Sequence, residues 1–337
     1  MDDTPRTQRA FARAYGDGEL DRSEAATALE RYDELDASGE DTADDLIATT
    51  GDDGVDLLAN AVGDTVRVAL DGSGSLDESF RRSLARAADG ETIDSYAQLD
   101  RAVRDIEDLS GPRQRRAKEL VADTEGEGIR LIDEMDDSST SQLLDTSVSR
   151  PERFRAQLAR FSDEDQFSVG RSEQFLRDAE ELKSANVDGF DDGSGSIIDE
   201  FTTQTNADFQ ARGIQYETRV AANGDINDIE AVGRNVRRSN GDTITDIDVE
   251  RRTEIVEARS SMTTSEAESK LERFEEAHEV GEIDLNEKDI AFTTDEGFSV
   301  SDRAEIREMA RNIEDRSGNG IDDLTVEFNQ VDAVESN

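Results

Sequence analysis

The residues best suited to chemistry are two acids and a cation in one short β-rich stretch. Ile247-Asp248-Val249-Glu250 and Ile255-Val256-Glu257-Ala258-Arg259 lie on either side of the polar step Arg251-Arg252. Side chains alternate along a strand, so Glu257 and Arg259 share a face. A tight hairpin then brings Asp248 across from them. Two carboxylates with waters can hold Mg²⁺ or Mn²⁺, which take oxygen ligands. Such an ion activates a water and neutralises charge building on a scissile phosphate. Asp248 and Glu257 are therefore the candidate catalytic and metal-binding residues. Arg259 does not deprotonate in proteins, so it stabilises charge or orients the water and does not act as a base.

Composition removes most rival chemistries. The 337 residues include no Cys and one His, which excludes disulfides, thiolate metal sites and thiol nucleophiles. Any Ser-His-Asp arrangement would rest on His278 alone. The 83 Asp and Glu against 38 Lys and Arg give a formal net charge of −45. Only Lys118, Lys183, Lys270 and Lys288 are lysines. Evenly spread acid, scarce Lys and small apolar residues look like a haloarchaeal cytosolic proteome. There a carboxylate coat stays solvated in concentrated KCl and salt screens its self-repulsion. The charge thus reports the solvent more than the partners. No run approaches the roughly 18 apolar residues of a membrane span, and the N-terminus shows no export signal. A cytoplasmic chain in a high-salt cytosol is expected, or one exported by a route that the sequence does not reveal.

Eleven of the 13 Phe follow residue 150, and this divides the chain. Residues 1–137 read as a helical array. Helices are expected over 23–35 and 94–109, with Val55, Leu58, Val62, Val66 and Leu70 at helical spacing between them. Asp136 to Ser141 reads as a linker, so 138–190 holds linker and two helical segments, around 151–162 and 171–185. Residues 191–337 form the last domain. Its expected order is helix 197–212, strand 214–220, helix 227–238, hairpin strands 244–249 and 253–258, helix 264–278, strand 289–292, helix 301–316 and strand 324–331. Capping-box-like chemistry is expected at Thr264, and Ser301 is the expected N-cap of the following helix.

That order, with a central hairpin followed by a helix, resembles the core of the PD-(D/E)xK nuclease superfamily, the restriction-endonuclease-like fold. The resemblance covers roughly residues 195–331 and rests on Asp248, Glu257 and Arg259. It implies an α+β protein in which a helical N-terminal region precedes an αβββαβ domain. It also implies that Asp248 and Glu257 bind Mg²⁺ or Mn²⁺, that Arg259 stands in the family's lysine position, and that Glu200 supplies an extra acid from the preceding helix. The motif string is common here: Glu-x-Arg occurs at Glu217, Glu250, Glu257, Glu305 and Glu314, and Glu-x-Lys at Glu181 and Glu268, both on predicted helices. Only Glu257 has the hairpin context.

The expected activity is metal-dependent hydrolysis of DNA or RNA. Residues 234–259 carry six Arg against six acids, a neutral window in an acidic chain, and Arg234, Arg237, Arg238, Arg251 and Arg252 are the candidate phosphate contacts. A helical module ahead of a nuclease also resembles polymorphic toxins, which would imply a small immunity protein as partner. The alternative is a non-catalytic helical scaffold or interaction protein carrying a degenerate nuclease fold.

Overall fold

The computed structural model describes residues 6–17, 21–70, 74–88, 92, 93, 95–163, 168–203, 208–316, 318 and 320–331. It is an α+β protein, with helices through the N-terminal and central parts and a five-stranded mixed sheet toward the C-terminus. The chain divides into two compact units, Met1–Thr146 with Arg155–Val169 and Ser147–Phe154 with Gly170–Asn337.

The first unit is helical. Its elements are α1 (Arg6–Asp17), α2 (Arg22–Asp33), α3 (Ala37–Thr50), α4 (Asp52–Asn60), α5 (Gly63–Ala69), α6 (Gly74–Ala88), α7 (Tyr96–Asp108), α8 (Gly111–Asp123), α9 (Glu127–Glu134) and α10 (Asp137–Asp145), with most of α11 (Pro151–Asp163). Helices α2, α4, α6 and α8 pack in one series, and α5, α7 and α9 in another. With few aromatics available, Ala, Val and Leu fill the core, as where Ala10, Phe11, Ala14, Ala28, Ile47 and Val55 meet. The helical spacing from Val55 to Leu70 breaks between α4 and α5, where Val62 is extended. The expected linker at Asp136–Ser141 is instead a helix start. The Asp136 carboxylate accepts from the Ser139 amide, and Leu143 and Leu144 anchor the helix in the core. A Ser- and Thr-rich stretch satisfies a first turn as readily as a loop.

The second unit holds α12 (Val169–Ser184), α13 (Ile197–Thr203), α14 (Asp208–Ala222), β1 (Ile229–Arg237), β2 (Thr243–Arg251), β3 (Glu254–Arg259), α15 (Thr264–Glu279), β4 (Asp289–Thr294), α16 (Val300–Glu314) and β5 (Val326–Gln330). The sheet runs β1-β2-β3-β4-β5, antiparallel across β1, β2 and β3 and parallel from β3 to β5. The parallel steps need crossovers, and α15 and α16 supply them. Their apolar stripes, including Leu271, Phe274, Ile306 and Ala310, bury against Ile255, Ile290 and Phe292 of the sheet. Phe154, Phe175 and Phe201 form a second, aromatic cluster.

The hairpin at β2–β3 and the strands at β4 and β5 lie where expected. Two neighbouring elements are exchanged in type. Residues 214–220 belong to helix α14 and not to a strand. The helix packs on β2 and β3 while Gln215 and Arg219 bond α12, so burial on two sides imitates a period of two. Residues 229–237 form strand β1 and not a helix. A bulge between Ile229 and Ala231 breaks the alternation, leaving apolar spacings that look helical. The caps also move: Thr263 with Glu266 boxes α15, and Ser299 with Asp302 boxes α16. Gly189 is required where it stands, because it has φ +76° and a Cβ there would lie 2.1 Å from the Val232 carbonyl oxygen.

Candidate active site

Strand pairing assembles the centre of the site. Val249 pairs with Val256 and Glu250 with Ile255, so one further step along the ladder sets Asp248 against Glu257. The Ala258 amide donates to Asp248 Oδ2 at 2.7 Å, which locks the aspartate onto β3. Arg259 sits two residues beyond Glu257 on the same face, and its Nε donates to Glu257 Oε1 at 2.7 Å. The sequence-predicted trio of Asp248, Glu257 and Arg259 is thus brought together.

A fourth residue arrives from α15. Lys270 Nζ lies 2.6 Å from Glu257 Oε2 and 2.7 Å from Asp246 Oδ1. Lys270 is almost wholly buried, with its ammonium 5.9 Å from the Phe274 ring centroid. The helix places it there because Ala267, Lys270, Leu271 and Phe274 follow the i, i+3, i+4, i+7 stripe that α15 turns to the sheet. Glu257 is completely buried and lies between two cations, one from its own strand and one from the next helix. Sequence reading misses Lys270 by setting its Glu-x-Lys triplet aside as a common spacing on a predicted helix. The available signal was a scarce lysine at a core position of the helix following the hairpin.

The opposite wall is α14, which contributes Glu217, while α13 contributes Glu200. Five carboxyl groups, Glu200, Glu217, Asp246, Asp248 and Glu257, are thus close enough to act on one another electrostatically. Burial and the Glu257 charge push Asp248 up to about 8. Burial and the surrounding acids, Asp248 foremost, hold Glu217 well above the ordinary carboxylate range. Burial likewise raises Glu200, with Asp199 and Asp246 adding to it. Asp246 goes the other way, because the Lys270 ammonium outweighs its burial. Burial works against the Lys270 charge, but Glu257, Asp248 and Asp246 outweigh it and raise the group. Lys270 is thus a fixed cation at neutral pH.

Beside this cluster lies a cavity of about 1050 Å³, which Glu257 and Lys270 themselves do not line. Asp246, Asp248, Glu217 and Glu200 line it together with Arg259. Arg171 of α12 and Arg212 and Arg219 of α14 line it as well. The five arginines expected to contact phosphates lie elsewhere. Arg234 pairs with Glu250 and Arg238 with Glu276. Arg237 donates to the Gly241 carbonyl, Arg251 to those of Val220 and Ala221, and Arg252 to that of Asn227. Their charge serves turns and strand ends, and none of the five borders the cavity among the described residues. His278 accepts from the Leu285 amide and is a half-buried structural residue.

The donor chemistry suits a hard divalent cation. The available ligands are carboxylate oxygens, and burial followed by repulsion from neighbouring acids raises Asp248 and Glu217, a penalty that a bound cation would relieve. Among the described residues, no three acidic or imidazole groups already converge as a set of metal ligands. Among the described residues, no helix is long and apolar enough to cross a membrane. No family model matches the chain, and no curated protein or solved structure matches it.

Proposed function

We propose that the second unit is a metal-dependent nuclease that hydrolyses phosphodiester bonds of nucleic acid. The observation that carries this reading is the buried pairing of Glu257 with Lys270 next to Asp248 on the facing strand, with Asp248 and Arg259 lining one cavity. The succession α14-β1-β2-β3-α15-β4 supplies the αβββαβ order that the resemblance to PD-(D/E)xK nucleases implies, and so supports a restriction-endonuclease-like domain. The family's lysine role passes from Arg259 to Lys270, because the ammonium reaches Glu257 from α15. The extra acid role fits Glu217 as well as Glu200, since α14 is the helix laid against β2 and β3.

Asp248 and Glu257 would hold Mg²⁺ or Mn²⁺. Bound there, the ion supplies Lewis acidity and an activated water. Lys270 pairs with Glu257 and orients it, and being a fixed cation it is not the base. Arg259 is half-exposed, so its guanidinium can meet a phosphate oxygen and stabilise charge as the water oxygen bonds phosphorus and the strand's P–O bond breaks.

The test is cleavage of plasmid, linear DNA and total RNA in multi-molar KCl with Mg²⁺, Mn²⁺ or EDTA. Metal-dependent cleavage that Asp248→Asn/Glu257→Gln abolishes is the expected result. A folded wild type that cuts nothing would leave the non-catalytic scaffold reading in place. The toxin reading adds one outcome: expression of the wild type, but not of the double variant, would arrest growth.

A further inference from the structure

We propose that this site takes single-stranded nucleic acid and reads the base beside the scissile phosphate through Asp178 and Tyr216. The inference rests on the nuclease reading and extends it to substrate class.

Depth argues for a single strand. Asp248 lines the cavity at only 5% exposure and its cross-strand neighbour Glu257 is fully buried, so a phosphate must descend into the cavity to reach Asp248. A duplex keeps its bases stacked inside and offers phosphates only along the outside of a rod. A single strand can enter a cleft and present phosphate and base edge together. The cavity, about 1050 Å³, lies at the upper end of the roughly 300–1,000 Å³ typical of small-molecule pockets. That is room for a few nucleotides.

The wall carries two buried polar atoms, Asp178 Oδ2 and the Tyr216 hydroxyl, that have no hydrogen-bond partner among the described residues. Asp178 on α12 is 3% exposed. Its Oδ1 accepts from Gln174 Nε2 at 2.6 Å and lies 3.5 Å from Arg219 Nη1. Oδ2 is buried and has no hydrogen-bond partner among the described residues. Tyr216 on α14 is 7% exposed, and its hydroxyl is likewise buried without a hydrogen-bond partner among the described residues. Both side chains border the cavity, and buried polar groups left unsatisfied are rare enough in folded proteins to need a reason. Burial pushes the Asp178 carboxyl up to about 6, a cost that a donor at Oδ2 would offset.

An acceptor oxygen whose partner oxygen is already held selects a donor. Among bases, the exocyclic amines of cytosine, adenine and guanine qualify, whereas thymine and uracil offer only a ring N3–H flanked by two carbonyl oxygens that repel a carboxylate. A carboxylate accepting from such an amine is an established mode of base readout. The Tyr216 hydroxyl can donate to a ring or carbonyl acceptor on the same nucleotide. Arg171 and Arg212 line the same cavity, where adjoining phosphates would pass.

The experiment measures kcat/KM with Mg²⁺ on oligo-dC, oligo-dA, oligo-dT and oligo-U, and on the dA·dT duplex. Expected are at least a tenfold preference for single strand over duplex and about tenfold for oligo-dC or oligo-dA over oligo-dT. Asp178→Asn, which turns an acceptor oxygen into a donor, should bring the second ratio to about one. If that variant does not fold, Tyr216→Phe carries the test: it should raise KM several-fold more than it lowers kcat. Duplex cleaved as fast as single strand, or a base ratio unchanged by Asp178→Asn, overturns this inference and leaves the nuclease reading standing. A folded chain that neither cleaves nor binds any of these oligonucleotides overturns both.

Discussion

Replacing Asp248 by Asn should stabilise the fold while abolishing activity. In the native state burial and Glu257 raise the Asp248 carboxyl from 3.8 to about 8. An unfolded chain releases that proton near pH 4, so at neutral pH folding must take it up again. The difference is about three pH units at pH 7, and at roughly 1.4 kcal/mol per unit the ceiling is about 4 kcal/mol. Asn keeps an acceptor oxygen for the Ala258 amide, and its NH₂ faces carboxylates that can accept. About half the ceiling, roughly 2 kcal/mol, is a reasonable return, or on the order of 4–8 °C in the transition of the unit that carries the sheet.

The pH dependence fixes the sign. A carboxyl with a raised native pKa is fully tolerated below its unfolded value, and its cost grows as pH rises toward the folded value. The advantage of Asp248→Asn should therefore be small at pH 4, widen to about pH 8 and then level off. Calorimetry of the full chain in constant multi-molar KCl with EDTA reads this directly. Mg²⁺ should narrow the gap by stabilising the wild type alone. An Asn variant that is less stable at pH 8, or an advantage flat across pH, would refute the claim that Asp248 is held against a charge penalty.

Two further outcomes follow from the same geometry. Lys270→Met should cost roughly 3–5 kcal/mol, because it leaves the buried Glu257 with one cation, and it should lower kcat by 100-fold or more; denaturant melts and cleavage rates read both. Arg237→Ala and Arg252→Ala should leave kcat/KM within about threefold of wild type, since neither residue borders the cavity, whereas Arg259→Ala should lower it by about tenfold or more at little cost in stability.

Legibility followed the locality of each signal. The hairpin was readable because β-branched residues and alternating acids mark both strands, and its register follows once the turn is placed. Asp248, Glu257 and Arg259 came with it. The type of α14 and β1 was not readable, because each breaks its own periodicity. One helix is buried on two sides and one strand carries a bulge. Glu217 was hidden by the first of these, since a carboxylate on a supposed strand has no reason to face the hairpin. The arginine window misled for another reason. Six arginines among six acids describe composition, and in this chain most of those arginines hold backbone carbonyls and local carboxylates. Besides Arg259, the cavity's arginines, at 171, 212 and 219, lie outside that window and are brought together by the packing of α12 against α14.

On the proposed nuclease reading, an arginine at 259 does not by itself make the site degenerate. In the strand reading, an arginine in the lysine position leaves the centre without an ammonium, and restoring Lys at 259 is the natural rescue. With Lys270 Nζ at 2.6 Å from Glu257, the ammonium is already present, delivered from a helix instead of a strand. What Glu257 needs is a cation at a fixed distance in a buried place, and the element that supplies it is secondary. The helix offers the more constrained route, because Lys270 occupies a core position that Leu271 and Phe274 pin in place. Arg259 is then free to face the cavity, where a planar, permanently charged group suits a phosphate better than it suits a proton transfer.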